Sequence, residues 1–104
     1  MRVSAVAAGG GHSLALSEDK VYSFGIGVDG QLGHGDEESA YTPRVIASLR
    51  GVRAIAAGSA TSLAVDSAGA VFGWGRAAAL GLQPAAVQAQ LSPRRFPSLV
   101  AERV

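Results

Sequence analysis

Residues 3–49 and 52–99 of this chain spell nearly the same pattern, and that internal repeat limits the folds open to it. Ser13-Leu14-Ala15 returns as Ser62-Leu63-Ala64, 49 positions on. One extra residue near Gly69 then moves the offset to 50, so Val21 returns as Val71, Gly25 as Gly75, Pro43-Arg44 as Pro93-Arg94 and Ser48-Leu49 as Ser98-Leu99. A period of about 50 residues marks a propeller blade or a solenoid unit. Such units bury their apolar faces against neighbours, so a pair leaves its outer faces uncovered.

Each unit divides into strand-length runs. The first alternates Val3, Ala5 and Ala7 with Ser4, Val6 and Ala8, and again Val52, Ala54 and Ala56 with Arg53, Ile55 and Ala57. Period two with small side chains suits a strand whose neighbours lie very close. A Gly turn follows at Gly9-Gly10-Gly11 and at Gly58-Ser59-Ala60. The second run is His12 to Leu16, or Thr61 to Val65, with large apolar residues on one face and Ser or Ala on the other. Polar turns at Ser17-Glu18-Asp19 and Asp66-Ser67-Ala68-Gly69 sit where hairpin turns belong. The third run, Val21 to Gly25 or Val71 to Gly75, has an aromatic face opposite Ser or Gly. If units stack, bulky residues fill the hollows left by small ones, and Trp74 and Phe24 are the expected anchors.

After the third run the copies diverge. Residues 27–36 form a Gly-rich loop, with glycines placed for positive φ. Arg76 to Gln90 replaces it in the second copy, where Pro84 followed by helix formers permits one or two helical turns. Both copies close on a Pro-Arg segment expected to be an outer strand.

Composition narrows the function classes. The 104 residues suffice for one domain, 48% of them are apolar and 16% charged, which favours packed structure over disorder. Only six residues are aromatic, so an isolated unit has little bulk for a core of its own. Net charge is +1, with −2 in residues 1–52 and +3 in 53–104. That is too mild to point to nucleic acid or an anionic membrane, although it suits head-to-tail contact between copies. There is no cysteine, hence no disulfide or thiolate metal site. No apolar run has membrane-spanning length. Val3 to Ala8 after Met1-Arg2 resembles a short signal segment, but the second unit repeats it, so a strand is expected.

Gly25-Ile26-Gly27-Val28-Asp29-Gly30 is a literal GxGxxG. Dinucleotide binding would require a helix after it and an acidic residue about 20 positions on, where Arg44, Val45 and Ile46 stand instead. His34, Asp36, Glu37 and Glu38 cluster, but without further ligands they read as a solvated loop tip. His12 is expected to serve structure, holding the adjacent Gly turn through a ring nitrogen, and Thr61 takes its place in the second unit. Arg94 and Arg95 suit the blunting of a sheet edge. No nucleophile–base pair, P-loop or HExxH is present, so neither covalent catalysis nor a cofactor is expected.

The first unit resembles the regulator of chromosome condensation repeat family. It carries Ala7-Ala8-Gly9, His12-Ser13-Leu14-Ala15-Leu16, Val21-Tyr22-Ser23-Phe24-Gly25 and Gly30-Gln31-Leu32-Gly33-His34-Gly35. The second unit departs from the pattern at Thr61 and keeps only Leu80-Gly81 of the Gln-Leu-Gly turn. The kelch family shares the period and a Gly doublet like Gly9-Gly10, but not those signatures. The resemblance implies an all-β fold: two four-stranded blades of a β-propeller, repeats 1–50 and 51–104, in rings that usually hold seven. Either the pair belongs to a larger ring, as the chain's end near the start of a third unit suggests, or three or four copies close a ring of six or eight. Members are mostly protein-interaction platforms, and the founding member is a nuclear exchange factor for a small GTPase. The expected role is therefore an interaction module, with guanine-nucleotide exchange as the alternative and an intracellular, nuclear or cytoplasmic, location. His34, Asp36, Glu37, Arg94 and Arg95 are the candidate partner contacts. Gly9, His12, Phe24, Gly25, Gly33, Gly58, Trp74 and Gly75 are expected to serve the blades themselves, and homo-oligomers through exposed blade faces are a further expectation.

Overall fold

The structure, a computed structural model, describes residues 2–76 and 89–96. Eight strands occur in order: β1 (Ala5–Ala8), β2 (His12–Ser17), β3 (Lys20–Gly25), β4 (Ala40–Val45), β5 (Val52–Ala57), β6 (Thr61–Asp66), β7 (Val71–Arg76) and β8 (Ala89–Arg95). They form two four-stranded antiparallel sheets, β1-β2-β3-β4 and β5-β6-β7-β8. Both Pro-Arg segments lie in edge strands, where a missing N–H donor is tolerated. The helical turns expected after Pro84 fall mainly outside the described residues. Ala89 and Gln90, at the end of that stretch, are strand, paired with Arg76 and Gly75.

Alternation along the strands decides which faces meet. In the first sheet His12, Leu14 and Leu16 share a face with their cross-strand partners Ala5, Ala7, Val21 and Ser23. In the second, Ser62 and Ala64 share a face with Ile55, Ala57, Phe72 and Trp74. These two faces pack together. Leu14, Leu16 and Val21 from one side and Ala64 and Trp74 from the other are buried in a single cluster, with Ile55, Ala57 and Phe72 against it. Each large side chain so buried contributes about 1.5–3 kcal/mol. The small residues opposite supply the hollows that close packing needs.

A second device recurs in both sheets. The register of β3 against β4 shifts between Ser23 and Gly25, and that of β7 against β8 between Gly73 and Gly75. The shift falls at Phe24 in one sheet and Trp74 in the other, and bulges of this kind re-aim a side chain. Gly25 and Gly75 both have φ of +110°, and a Cβ on either would collide with the preceding strand's backbone, at Gly11–His12 or Ala60–Thr61.

The segment between the sheets is part of the core. Ile46, Leu49 and Val52 are buried in it. Asp19 anchors its far end: its carbonyl accepts from Val52 N at 3.1 Å and its carboxylate from Gly51 N at 3.1 Å. The offset change near Gly69 also has a structural cause. The β6–β7 turn carries the extra residue, and Asp66 Oδ1 holds it by accepting from Ala68 N at 3.0 Å and Ala70 N at 2.9 Å.

Candidate functional site

The β1–β2 and β5–β6 turns meet where the two sheets join. Gly10 N donates to the carbonyls of Ser59 at 3.1 Å and Gly58 at 3.3 Å. A Cβ on Gly9 would collide with the Gly58 carbonyl and the His12 ring. His12 itself differs from expectation. Its Nε2 lies 2.9 Å from Ser62 Oγ and 3.2 Å from the Thr61 carbonyl, so it bonds across to the second sheet rather than to its own turn. The tautomer follows from proton counting. Ser62 Oγ donates its one proton to the Gln31 carbonyl at 2.8 Å, so both groups facing His12 Nε2 are acceptors and Nε2 carries the hydrogen. Nδ1 is buried with no partner among the described residues. Burial accordingly lowers the His12 pKa below 6.5, and the weaker effect of the Thr61 hydrogen bond opposes it.

The β3–β4 loop splits into a buried and an exposed half. No helix follows Gly25–Gly30; tight turns do, closed by Gly30 N to Gly27 O at 3.0 Å and Gly33 N to Gly30 O at 3.1 Å. Gln31, Leu32 and Gly33 are buried, wedged between the sheets, and Gly33 abuts Trp74. Ser23 Oγ donates to the Leu32 carbonyl at 2.7 Å and accepts from His34 Nε2 at 2.9 Å. Burial lowers the His34 pKa, the Arg44 charge lowers it further, and Asp36 opposes both.

The exposed half includes residues the sequence reasoning passed over. Ile26 and Val28 are 45% and 61% exposed. They line a cleft of about 500 Å3 between the sheets, with Gly11, Asp29, Ser59 and Arg76. Arg76 Nη2 reaches across it to Asp29 Oδ1 at 3.8 Å. Two apolar residues alternating with loop glycines were the available signal. An apolar centre with a charged rim is the composition of a protein-binding patch.

The other candidates are scattered. Asp36 and Glu37 are exposed, with Asp36 Oδ1 accepting from Glu38 N at 3.1 Å. His34 and Arg44 line a separate cleft of about 250 Å3 with Ser48 and Ser92. Arg94 and Arg95 are exposed on β8, opposite Gly73 and Phe72. Among the described residues no three His, Asp or Glu side chains converge as a metal site would require, and no helix is long and apolar enough to cross a membrane. Trp74 is fully buried and its counterpart Phe24 only half-buried, because Trp74 has the first sheet to pack against.

Two sequence profiles described as Regulator of chromosome condensation (RCC1) repeat match residues 18–65 and 3–31. The chain belongs to the RCC1 repeat family. The longer match runs from the start of β3 to the end of β6, half a sheet out of phase with the sheets themselves. The E3 ubiquitin-protein ligase HERC2 of Homo sapiens is 44% identical over 103 residues, covering 96% of this chain and 2% of that protein. Among solved structures, human WBSCR16 superposes with a TM-score of 0.80 at 35% identity, over 91% of this chain and 25% of that one. Prp20p from Saccharomyces cerevisiae, studied for its binding to Gsp1p and histones, gives 0.79 at 29% identity, over 90% of this chain and 25% of that one. The two sheets are thus two blades of an RCC1-type β-propeller. The RCC1 signature residues now have physical duties: His12 and Gln31 bond to the next blade through Ser62, and Gly33 makes room for its aromatic anchor.

Proposed function

We propose that this chain is a protein-interaction module of a regulatory RCC1-type propeller, its two repeats being residues 1–50 and 51–104, and that it contacts its partner through the loop end of the blade junction. The observation carrying this reading is the exposure of Ile26 and Val28 beside the Asp29–Arg76 pair. Neither side chain is needed for the core, while the neighbouring Gln31, Leu32 and Gly33 are. Asp36 and Glu37 on the same loop are charged contacts of the second rank, as are His34, Arg94 and Arg95. Contact chemistry of this kind requires no nucleophile or cofactor.

The test is affinity capture with the chain and with an Ile26→Asp/Val28→Asp variant that keeps the wild-type far-UV spectrum. At least one protein captured by the wild type is lost by the variant and kept by an Arg53→Glu control. Identical capture by all three contradicts the reading.

Guanine-nucleotide exchange on a small GTPase is the second reading, favoured by likeness to Prp20p, whose binding to Gsp1p has been studied. Release of fluorescent GDP from Gsp1p measures it. The interaction-module reading predicts no acceleration at micromolar chain, and acceleration would put exchange in its place.

A further inference from the structure

The cleft of about 250 Å3 at His34 and Arg44 is built by both blades. Arg44 lies on β4 opposite Ser23, and Ser92 lies on β8. Gly35 N donates to the Leu91 carbonyl at 2.9 Å, which ties the His34 turn to β8. The chain leaves the described residues at Arg76 and Phe96, and neither of them lines this cleft. Its polar side chains are His34, Arg44, Ser48 and Ser92, all able to donate hydrogen bonds. Among the described residues no carboxylate lines it, Arg44 has no carboxylate partner, and the hydroxyls of Ser48 and Ser92 have no hydrogen bond. His34 is oriented from behind. Ser23 Oγ gives its proton to the Leu32 carbonyl, so His34 Nε2 carries the hydrogen it shares with Ser23, and Nδ1 is left to take up a second proton. Burial and then the Arg44 charge hold the His34 pKa low, while the nearby Asp36 opposes them. Arg44 and a protonated His34 therefore repel, and an anion between them would relieve that repulsion.

We infer that His34, Arg44, Ser48 and Ser92 bind a phosphate group at the junction of the two blades. A carboxylate would bring a single charge and two oxygens. A phosphate group brings a charge of about −1.5 to −2 at pH 7 and three acceptor oxygens. That matches the Arg44 guanidinium, the two hydroxyls and a protonated His34 as donors, and charge-assisted hydrogen bonds of this kind are the strong ones. Asp36 weakens the site from outside it, since its carboxylate acts on His34 without lining the cleft. The site shares no residue with the cleft at Ile26 and Val28, so it stands whichever protein that cleft binds.

Heteronuclear NMR of the full chain at constant ionic strength tests it, with methyl phosphate, inorganic phosphate and chloride as probes. Both phosphates shift the amides of His34, Arg44, Ser48 and Ser92 saturably in the millimolar range and raise the midpoint of the His34 ring titration. Chloride does neither. Tighter binding of methyl phosphate assigns the site to a phosphate carried on another molecule, and tighter binding of inorganic phosphate to the free ion. Arg44 and Asp36 are exposed, so Arg44→Gln and Asp36→Asn keep the wild-type far-UV spectrum. Arg44→Gln binds about tenfold more weakly, and Asp36→Asn binds more tightly. Shifts that do not saturate or that spread equally over Arg50, Arg53 and Arg95, a His34 midpoint that phosphate does not move, or binding that either variant leaves unchanged would each overturn the inference.

Discussion

Gly33 and Trp74 are complementary parts of one joint. A Cβ built on Gly33 would stand 2.8 Å from Trp74 Nε1 and 2.9 Å from its Cδ1. The largest side chain of the second blade is thus seated on a position of the first where no side chain fits. The indole N–H is buried there without a partner among the described residues, a desolvation cost that the ring's apolar contact outweighs.

Truncating the anchor therefore costs more than truncating its counterpart. Trp74→Ala destabilises the chain by about 3–5 kcal/mol. Phe24→Ala, at a half-buried site on the outer face of the first blade, costs less than half as much in this chain. Urea denaturation of the two variants measures the difference.

The joint also fails from the other side. Gly33→Ala meets both the φ of +76° and the Trp74 ring, whereas Gly69→Ala meets a φ of +88° with nothing within 4 Å. The backbone term alone is about 1–2 kcal/mol. Gly69→Ala loses about that amount in denaturant, and Gly33→Ala loses clearly more.

Ser62 is both acceptor and donor between the blades. Ser62→Ala removes an acceptor from His12 Nε2 and a donor from the buried Gln31 carbonyl, at a cost of about 1–3 kcal/mol. Ser13, its counterpart on the outer face of the first blade, makes no side-chain hydrogen bond among the described residues, and Ser13→Ala has a smaller effect by the same denaturation assay.

Acid weakens the fold. The pKa of His12 is lowered chiefly by burial, so the folded chain binds fewer protons there than the unfolded chain does. Its stabilising contribution is complete above the unfolded value of about 6.5 and is lost as pH falls through the lower folded value. His34 acts in the same direction. Stability measured against pH declines from about 6.5 downward and levels off below the folded value, and His12→Gln flattens the decline.

Alternation made the strands legible from sequence, and the Leu-against-Ser/Ala faces of Leu14 and Ser62 with them. The partner of His12 was not legible. Its neighbours along the chain are glycines, while Thr61 and Ser62 come within reach only after two blades have packed. Phe24 and Trp74 occupy equal places in the repeat, and their unequal burial depends on which blade has a neighbour. Ile26 and Val28 were hidden by a glycine motif whose familiar meaning is phosphate binding. Their exposure follows from tight turns that spend the buried half of the loop on Gln31, Leu32 and Gly33.

Trp74 is the single tryptophan of the chain and lies at the blade junction, so its fluorescence reports blade docking directly. Denaturation followed by Trp74 emission and by far-UV circular dichroism is the most direct test. Docked blades predict blue-shifted native emission, quencher protection, and two transitions that coincide. Water-like emission in the native state, or Trp74 exposure well before the strands melt, would contradict the packing of the two blades as one unit.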